Sequence, residues 1–327
     1  MIFKPIPRQK SCNTFRDLGR IVRLIGTKHF WQGPEIKEFE TRFAEIYGMK
    51  HALATGSCRS GFALILDALG ITSGDEVILP AFNMPAFPKI LKYKGIKPIF
   101  VDVDEQTLNM DERLIEQNIT PKTKAIVAVH LFGNACPMDP IIALARKYGL
   151  FVIEDCANAW VTHYQSRYVG TFGDAACFSF GSTKDIPTFG GGMITTNNQD
   201  LFAKLVHLYE QETRYPSWVD VMNDLIKNII MMLMSSGLFY ILVVFPVQFL
   251  CFFAGLDLMD YLIEEKDRPI KGVSRKKYTN FQAVIGIQKL KMHERNQQGR
   301  IWNARILTSQ LHNIQGVKIP QTAAEGE

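Results

Sequence analysis

The stretch that most constrains the fold runs from Phe151 to Met193. It opens on a short apolar strand, Phe151-Val152-Ile153, which delivers the acidic pair Glu154-Asp155. After a polar loop, a second strand from Ala175 to Phe180 leads to Lys184. The triplet Gly190-Gly191-Gly192 then precedes a third strand, Met193 to Thr196. In an α/β sheet, ligands gather beyond the carboxyl ends of the strands, so Asp155 and Lys184 are expected to face one site. Singly, each residue is commonplace. An Asp after a strand usually serves a turn, and a Lys is usually a solvated charge. A glycine run marks only a flexible or closely approached backbone.

The flanking text alternates strands and helices, which predicts a parallel, doubly wound sheet. Strands are expected at His51–Ala54, Val77–Leu79, Ile99–Val101 and Ala125–His130. Helices are expected at Phe15–Ile25, Glu35–Tyr47, Phe62–Leu69, Ile141–Tyr148 and Leu201–Tyr209. The Glu35 helix carries Ile36, Phe39, Phe43 and Ile46 at near-helical spacing, and Pro34 suits its start. His130 reads as a loop or core histidine rather than a ligand. Thr55 to Gly61 is a turn of small residues opening an apolar helix, a place where free backbone N–H groups meet a phosphate, although an ordinary capped helix looks the same.

Composition excludes some functions. The charge of +5, with no Lys/Arg block, points away from nucleic acid and supports only weak attraction to anionic substrates or membranes. Six scattered cysteines without a C-x-x-C pair fit reduced thiols of a cytosolic enzyme better than disulfides or zinc. The N-terminus shows no apolar segment of the secretory kind. A length of 327 residues allows one large core and a smaller domain.

Several motifs occur together and in order. They are Glu154-Asp155-Cys156-Ala157-Asn158-Ala159, Val169-Gly170-Thr171-Phe172-Gly173-Asp174, Phe178-Ser179-Phe180, Lys184 and Gly191-Gly192. This combination resembles the nucleotide-sugar aminotransferases, a DegT-like family of pyridoxal-phosphate enzymes of fold type I. The resemblance implies a large α/β domain with a mostly parallel sheet flanked by helices, plus a smaller C-terminal α/β subdomain. It implies pyridoxal 5'-phosphate held covalently by Lys184, with Asp155 on the pyridinium nitrogen, Asn158 near the ring hydroxyl and Ser179 at the phosphate. Ser57-Cys58-Arg59 stand where the family has a phosphate-binding Ser-Gly-Thr, which passes that role to backbone amides, Ser57 and Ser60, with Arg59 an added charge. Met84 stands where the family lays an aromatic ring on the cofactor, and Phe82 lies two positions away; either is a candidate to cover it. Arg275-Lys276-Lys277 replace an Asn-Tyr-Arg that reaches the partner subunit in a family homodimer. The implied reaction moves an amino group, with glutamate the expected donor, to a keto sugar on a nucleotide in surface polysaccharide or amino-sugar synthesis. The alternative is a non-catalytic or regulatory membrane-anchored relative.

Two departures matter. Ile229 to Leu256 contains no charged residue, and such a run exceeds the ~20 residues that span a bilayer. Pro246 is expected to break the run into an interfacial or re-entrant pair of helices. Monotopic attachment at the cytoplasmic face ranks first, a buried dimer helix second and a true span third. After helices at Tyr278–Leu290 and Gln297–His312, Val317–Pro320 reads as the start of a strand, and the subdomain looks incomplete. The expected division is 1–210 for the large cofactor-binding domain, 211–270 for an insertion holding 229–256, and 271–327 for the partial subdomain.

Overall fold

Seven strands form one sheet in the order β1-β9-β8-β5-β4-β2-β3 in the computed structural model, which describes residues 13–253, 273, 275–312 and 314–321. The strands are β1 (His51–Thr55), β2 (Glu76–Pro80), β3 (Lys97–Val101), β4 (Thr123–Val129), β5 (Phe151–Asp155), β8 (Ala175–Ser179) and β9 (Gly192–Thr196). Neighbours from β3 across to β8 are parallel, and only β9 runs against both its neighbours. The sheet is therefore mostly parallel, as expected. A separate hairpin, β6 (His163–Tyr164) with β7 (Arg167–Tyr168), lies within what reads in sequence as a polar loop. Its turn places Gln165 and Ser166 at positive φ, a conformation usually announced by Asn-Gly, so the sequence gives no signal for it.

Both faces of the sheet are buried, which explains the continuous apolar text of its central strands. Alternate residues divide between two cores. Ile78, Ile126 and Val152 pack with Phe39 and Phe43 of α2 (Glu35–Tyr47) and with Ile141 of α5 (Met138–Tyr148). Val77, Val127 and Ile153 pack with Phe62 and Ile65 of α3 (Cys58–Ala68) and with Leu205 of the Gln199–Glu212 helix. The helix Asn280–Leu290 returns to the first face, where a Cβ at Gly286 would meet the Phe39 ring at 2.6 Å. A third cluster joins Ile21 of α1 (Phe15–Leu24) to Phe30, Val221, Leu225, Phe281 and Ile285.

Two helical legs carry the uncharged run, the first beginning before it and bearing Asp220, Asp224 and Lys227. The first is Trp218–Met234; the second is helical from Gly237 through a π-turn at Tyr240–Val244 to Phe253. Residues 254–256 of the run lie outside the described residues. The break falls at Ser235–Ser236, not at Pro246. Pro246 instead follows the π-turn, whose wider ring accommodates a residue that lacks an N–H and crowds the preceding turn. Among the described residues no helix is long and apolar enough to cross a membrane. Val317–Pro320 adopts no strand.

Candidate active site

Side chains alternate across a strand, so the adjacent acids at the end of β5 turn to opposite faces. Glu154 is fully buried and collects four donors. Its Oε1 accepts from the Phe172 and Gly173 amides, each at 2.7 Å, and its Oε2 from the Gly170 amide at 2.6 Å. The fourth donor is His130. The Cys136 amide donates to His130 Nδ1 at 3.0 Å, which leaves Nε2 as the protonated nitrogen facing Glu154 Oε2 at 3.1 Å. His130 is thus a core histidine, as its sequence context suggests. Glu154 clamps the 170–173 loop against the strand end.

Asp155 faces the other core. One oxygen, Oδ1, accepts from the Ala157 amide at 2.9 Å, and Asp155 makes no other hydrogen bond through its side chain among the described residues. Burial raises its pKa above the ordinary carboxylate range, and the Ala157 amide, Lys184 and His130 only partly draw it back. A buried carboxyl with one uncommitted oxygen is a place for a cation, and the protonated ring nitrogen of pyridoxal phosphate fits that chemistry.

Lys184 sits past the end of β8 in the loop that leads to β9. Its Nζ donates to Asn158 Oδ1 at 2.5 Å. Burial lowers its pKa below the usual lysine range, against the pull of Asp155 and of Cys58. Lys184 and Ser179 border the same glycine: a Cβ at Gly181 would lie 3.7 Å from Lys184 Cγ and 3.8 Å from Ser179 Oγ. The fold therefore brings Asp155, Asn158, Ser179 and Lys184 to the carboxyl ends of β5 and β8.

The start of α3 arrives at the same place. Cys58 Sγ, the Asp155 carboxylate and Cys177 Sγ lie within 4.8 Å of one another, a link to Cys177 that spacing in the sequence does not show. Ser57 and Ser60 form a capping box: Ser57 Oγ accepts from the Ser60 amide and Ser60 Oγ from the Ser57 amide, both at 3.0 Å. Both hydroxyl oxygens thus cap the helix start as acceptors, and Arg59 is exposed beside them. The glycines explain the tight approach. A Cβ at Gly192 would sit 2.4 Å from the Cys58 nitrogen, and Gly191, at φ 107°, leaves room for the Tyr278 ring. Lys276 pairs with Asp220 at 3.1 Å and Lys277 with Glu210, so both cations are engaged within this chain.

Of the two candidates to cover a cofactor ring, Met84 is 66% exposed, while Phe82 packs against Phe132 with ring centroids 6.3 Å apart. Phe132 lines a cleft of about 140 Å³ together with Asn158, Trp160, Asp185, His293 and Arg300. Two polar atoms of this cleft's lining residues, Trp160 Nε1 and His293 Nδ1, are buried without a hydrogen-bond partner.

The model of the DegT/DnrJ/EryC1/StrS aminotransferase family matches residues 12–225. The chain belongs to this family. The family's aminotransferases use pyridoxal phosphate, and the Asp155–Lys184–Asn158 arrangement fits that cofactor. A spore coat polysaccharide biosynthesis protein of Bacillus subtilis is 44% identical over 174 residues, 53% of this chain and 45% of its own. A GDP-perosamine synthase of Escherichia coli O157:H7 is 46% identical over 180 residues, 55% of this chain and 50% of its own. The chain thus matches about half the length of these curated relatives. Among solved structures, an aminotransferase from Psychrobacter cryohalolentis superposes with a TM-score of 0.66 at 30% identity, over 88% of this chain and 64% of that one.

Proposed function

We propose that this protein transfers an amino group to a keto sugar carried on a nucleotide, in the synthesis of surface polysaccharide or amino sugars in the cytoplasm. The observation that carries this reading is the meeting of buried Asp155 with half-buried Lys184 and Asn158 at the strand ends, in a chain of this family. Pyridoxal phosphate, when bound, supplies the carbonyl that takes up the amino group and a ring that withdraws electrons. Asp155 would hold its ring nitrogen, and the amides at the start of α3 with Ser57 and Ser179 its phosphate. Lys184 provides the attachment point. Its lowered pKa raises the fraction of neutral amine able to take a proton from the substrate carbon, and Asn158 fixes where Nζ points. Trp160 Nε1 and His293 Nδ1 await polar partners, which the hydroxyls of a sugar provide. Glutamate is the proposed donor and a homodimer the proposed assembly.

Borohydride reduction of the protein loaded with pyridoxal phosphate, followed by peptide mapping, should label Lys184. Incubation with glutamate and a nucleotide-linked keto sugar should then yield 2-oxoglutarate and the amino sugar. A label at another lysine, or loaded protein that converts no such sugar, would remove the proposal. The second outcome would favour a membrane-anchored relative without catalysis, a reading supported by the exposed apolar leg at Gly237–Phe253.

A further inference from the structure

The two legs of the uncharged run expose their apolar residues in different ways. On the first leg, Trp218, Met222, Ile226 and Ile230 are exposed at a spacing of four, a single stripe. Its opposite face is committed to the protein: Val221 and Leu225 are buried in the third cluster, and Asn228 bonds Asn13 at 2.9 Å and also Ser182. The second leg exposes a much wider sector. Ile241, Leu242, Val243, Phe245, Val247, Phe249, Leu250 and Phe253 are all exposed, with Leu242, Leu250 and Phe253 at 66%, 69% and 72%. At about 100° per residue these positions cover about two-thirds of the helix circumference, and the remaining sector holds buried Val244 with half-buried Gln248 and Cys251 beside it. Tyr240 Oη donates to Gln248 Oε1 at 3.3 Å.

A helix seated in a protein groove offers one sector to it and keeps a polar face outward. A helix whose wide exposed sector is wholly apolar suits a medium that wraps it, and the hydrocarbon of a bilayer is that medium. Its seventeen described residues, Gly237 to Phe253, make about 25 Å of helix, against a core of about 30 Å. We infer that the Gly237–Phe253 leg inserts into one leaflet of a lipid bilayer and holds this protein at the membrane surface without crossing it. The first leg, with its apolar stripe, then lies at the interface. Asn228 ties that leg to Ser182, two residues from Lys184, so the anchored element adjoins the loop that carries the lysine. The inference is independent of which reaction the site performs.

Flotation of the full chain with vesicles of phosphatidylcholine and phosphatidylglycerol tests it. Wild type should rise with the vesicles. The double variant Leu242→Lys/Leu250→Lys should lose at least about tenfold of that partition while keeping its far-ultraviolet circular dichroism and melting temperature. Both positions are exposed, so the substitutions do not disturb the core. Single cysteines replacing Lys227 and Arg275, in a background where Cys12 and Cys251 are Ser, should react with an impermeant thiol reagent from the same side of the membrane. Wild type left in the aqueous fraction, as a dimer that buries this leg, would overturn the inference. So would equal flotation of the double variant, or labelling of the two cysteines from opposite sides.

Discussion

The two sides of the β5 strand end show what neighbouring carboxyls become in different surroundings. On one side, four donors meet Glu154 and leave it no capacity for a ligand. On the other, Asp155 has a single amide, a raised pKa and a lysine nearby. Saturation makes the first a structural clamp, and deficiency makes the second the candidate site. A chain keeps a poorly satisfied buried acid only where something else completes it, because an unmatched buried charge destabilises the fold.

The comparison can be broken most forcefully at the clamp. Glu154→Ala leaves His130 Nε2 and three amides without their acceptor, and should cost about 3–5 kcal/mol in urea unfolding. A loss below about 1 kcal/mol would mean that water replaces the carboxylate and that the two sides are alike.

Asp155→Asn should act on chemistry instead. It should lower the rate of amino transfer about 10²–10³-fold, the range for removing one electrostatic partner of a reacting group. Stability should move the other way. Burial raises the folded-state pKa of Asp155 above its unfolded value, so its contribution is full below the unfolded pKa and is lost as pH rises through the folded one. The cofactor-free Asn variant should therefore melt above wild type at neutral pH, with the difference closing in acid. A variant less stable than wild type at pH 7 would show Asp155 to be a second clamp.

Smaller effects sharpen the contrast. Asn158→Ala removes the acceptor of Lys184 Nζ and should slow turnover about tenfold, as expected for about 1–1.5 kcal/mol of lost hydrogen bonding. A full pH–rate profile should also move, since the lysine loses its fixed partner. Cys58→Gly introduces at the start of α3 the glycine that the family resemblance implies there. It should change stability by no more than about 1 kcal/mol and leave cofactor affinity within a few-fold of wild type, measured by absorbance titration.

Most of the sheet was legible because buried parallel strands write continuous apolar text and helices write a period near 3.6. Asp155, Lys184 and Asn158 were legible as a set because motif order survives in the chain. Other parts were not. Glu154 reads like Asp155 until the 170–173 amides are placed around it. Cys177 lies 119 positions from Cys58, and nothing in either segment announces their meeting. Phe132 reaches Phe82 through a positive φ of 55°, which local text does not signal at a phenylalanine. Pro246 suggested a break because proline opposes helix, yet the π-turn before it absorbs the conflict and the break moves to Ser235–Ser236.

By itself, the sequence determined the α/β class, the family, the candidate lysine and acid, and the presence of a long uncharged run. These follow from local composition and order, which a chain carries before it folds. Only the tertiary structure decided which acid is saturated and which is free, since that depends on donors brought from loops far along the chain. It also decided that the run lies on two legs, one with a face committed to the core and one exposing apolar residues over most of its circumference. Burial is a property of the assembled surface and cannot be counted along a strand or a helix alone.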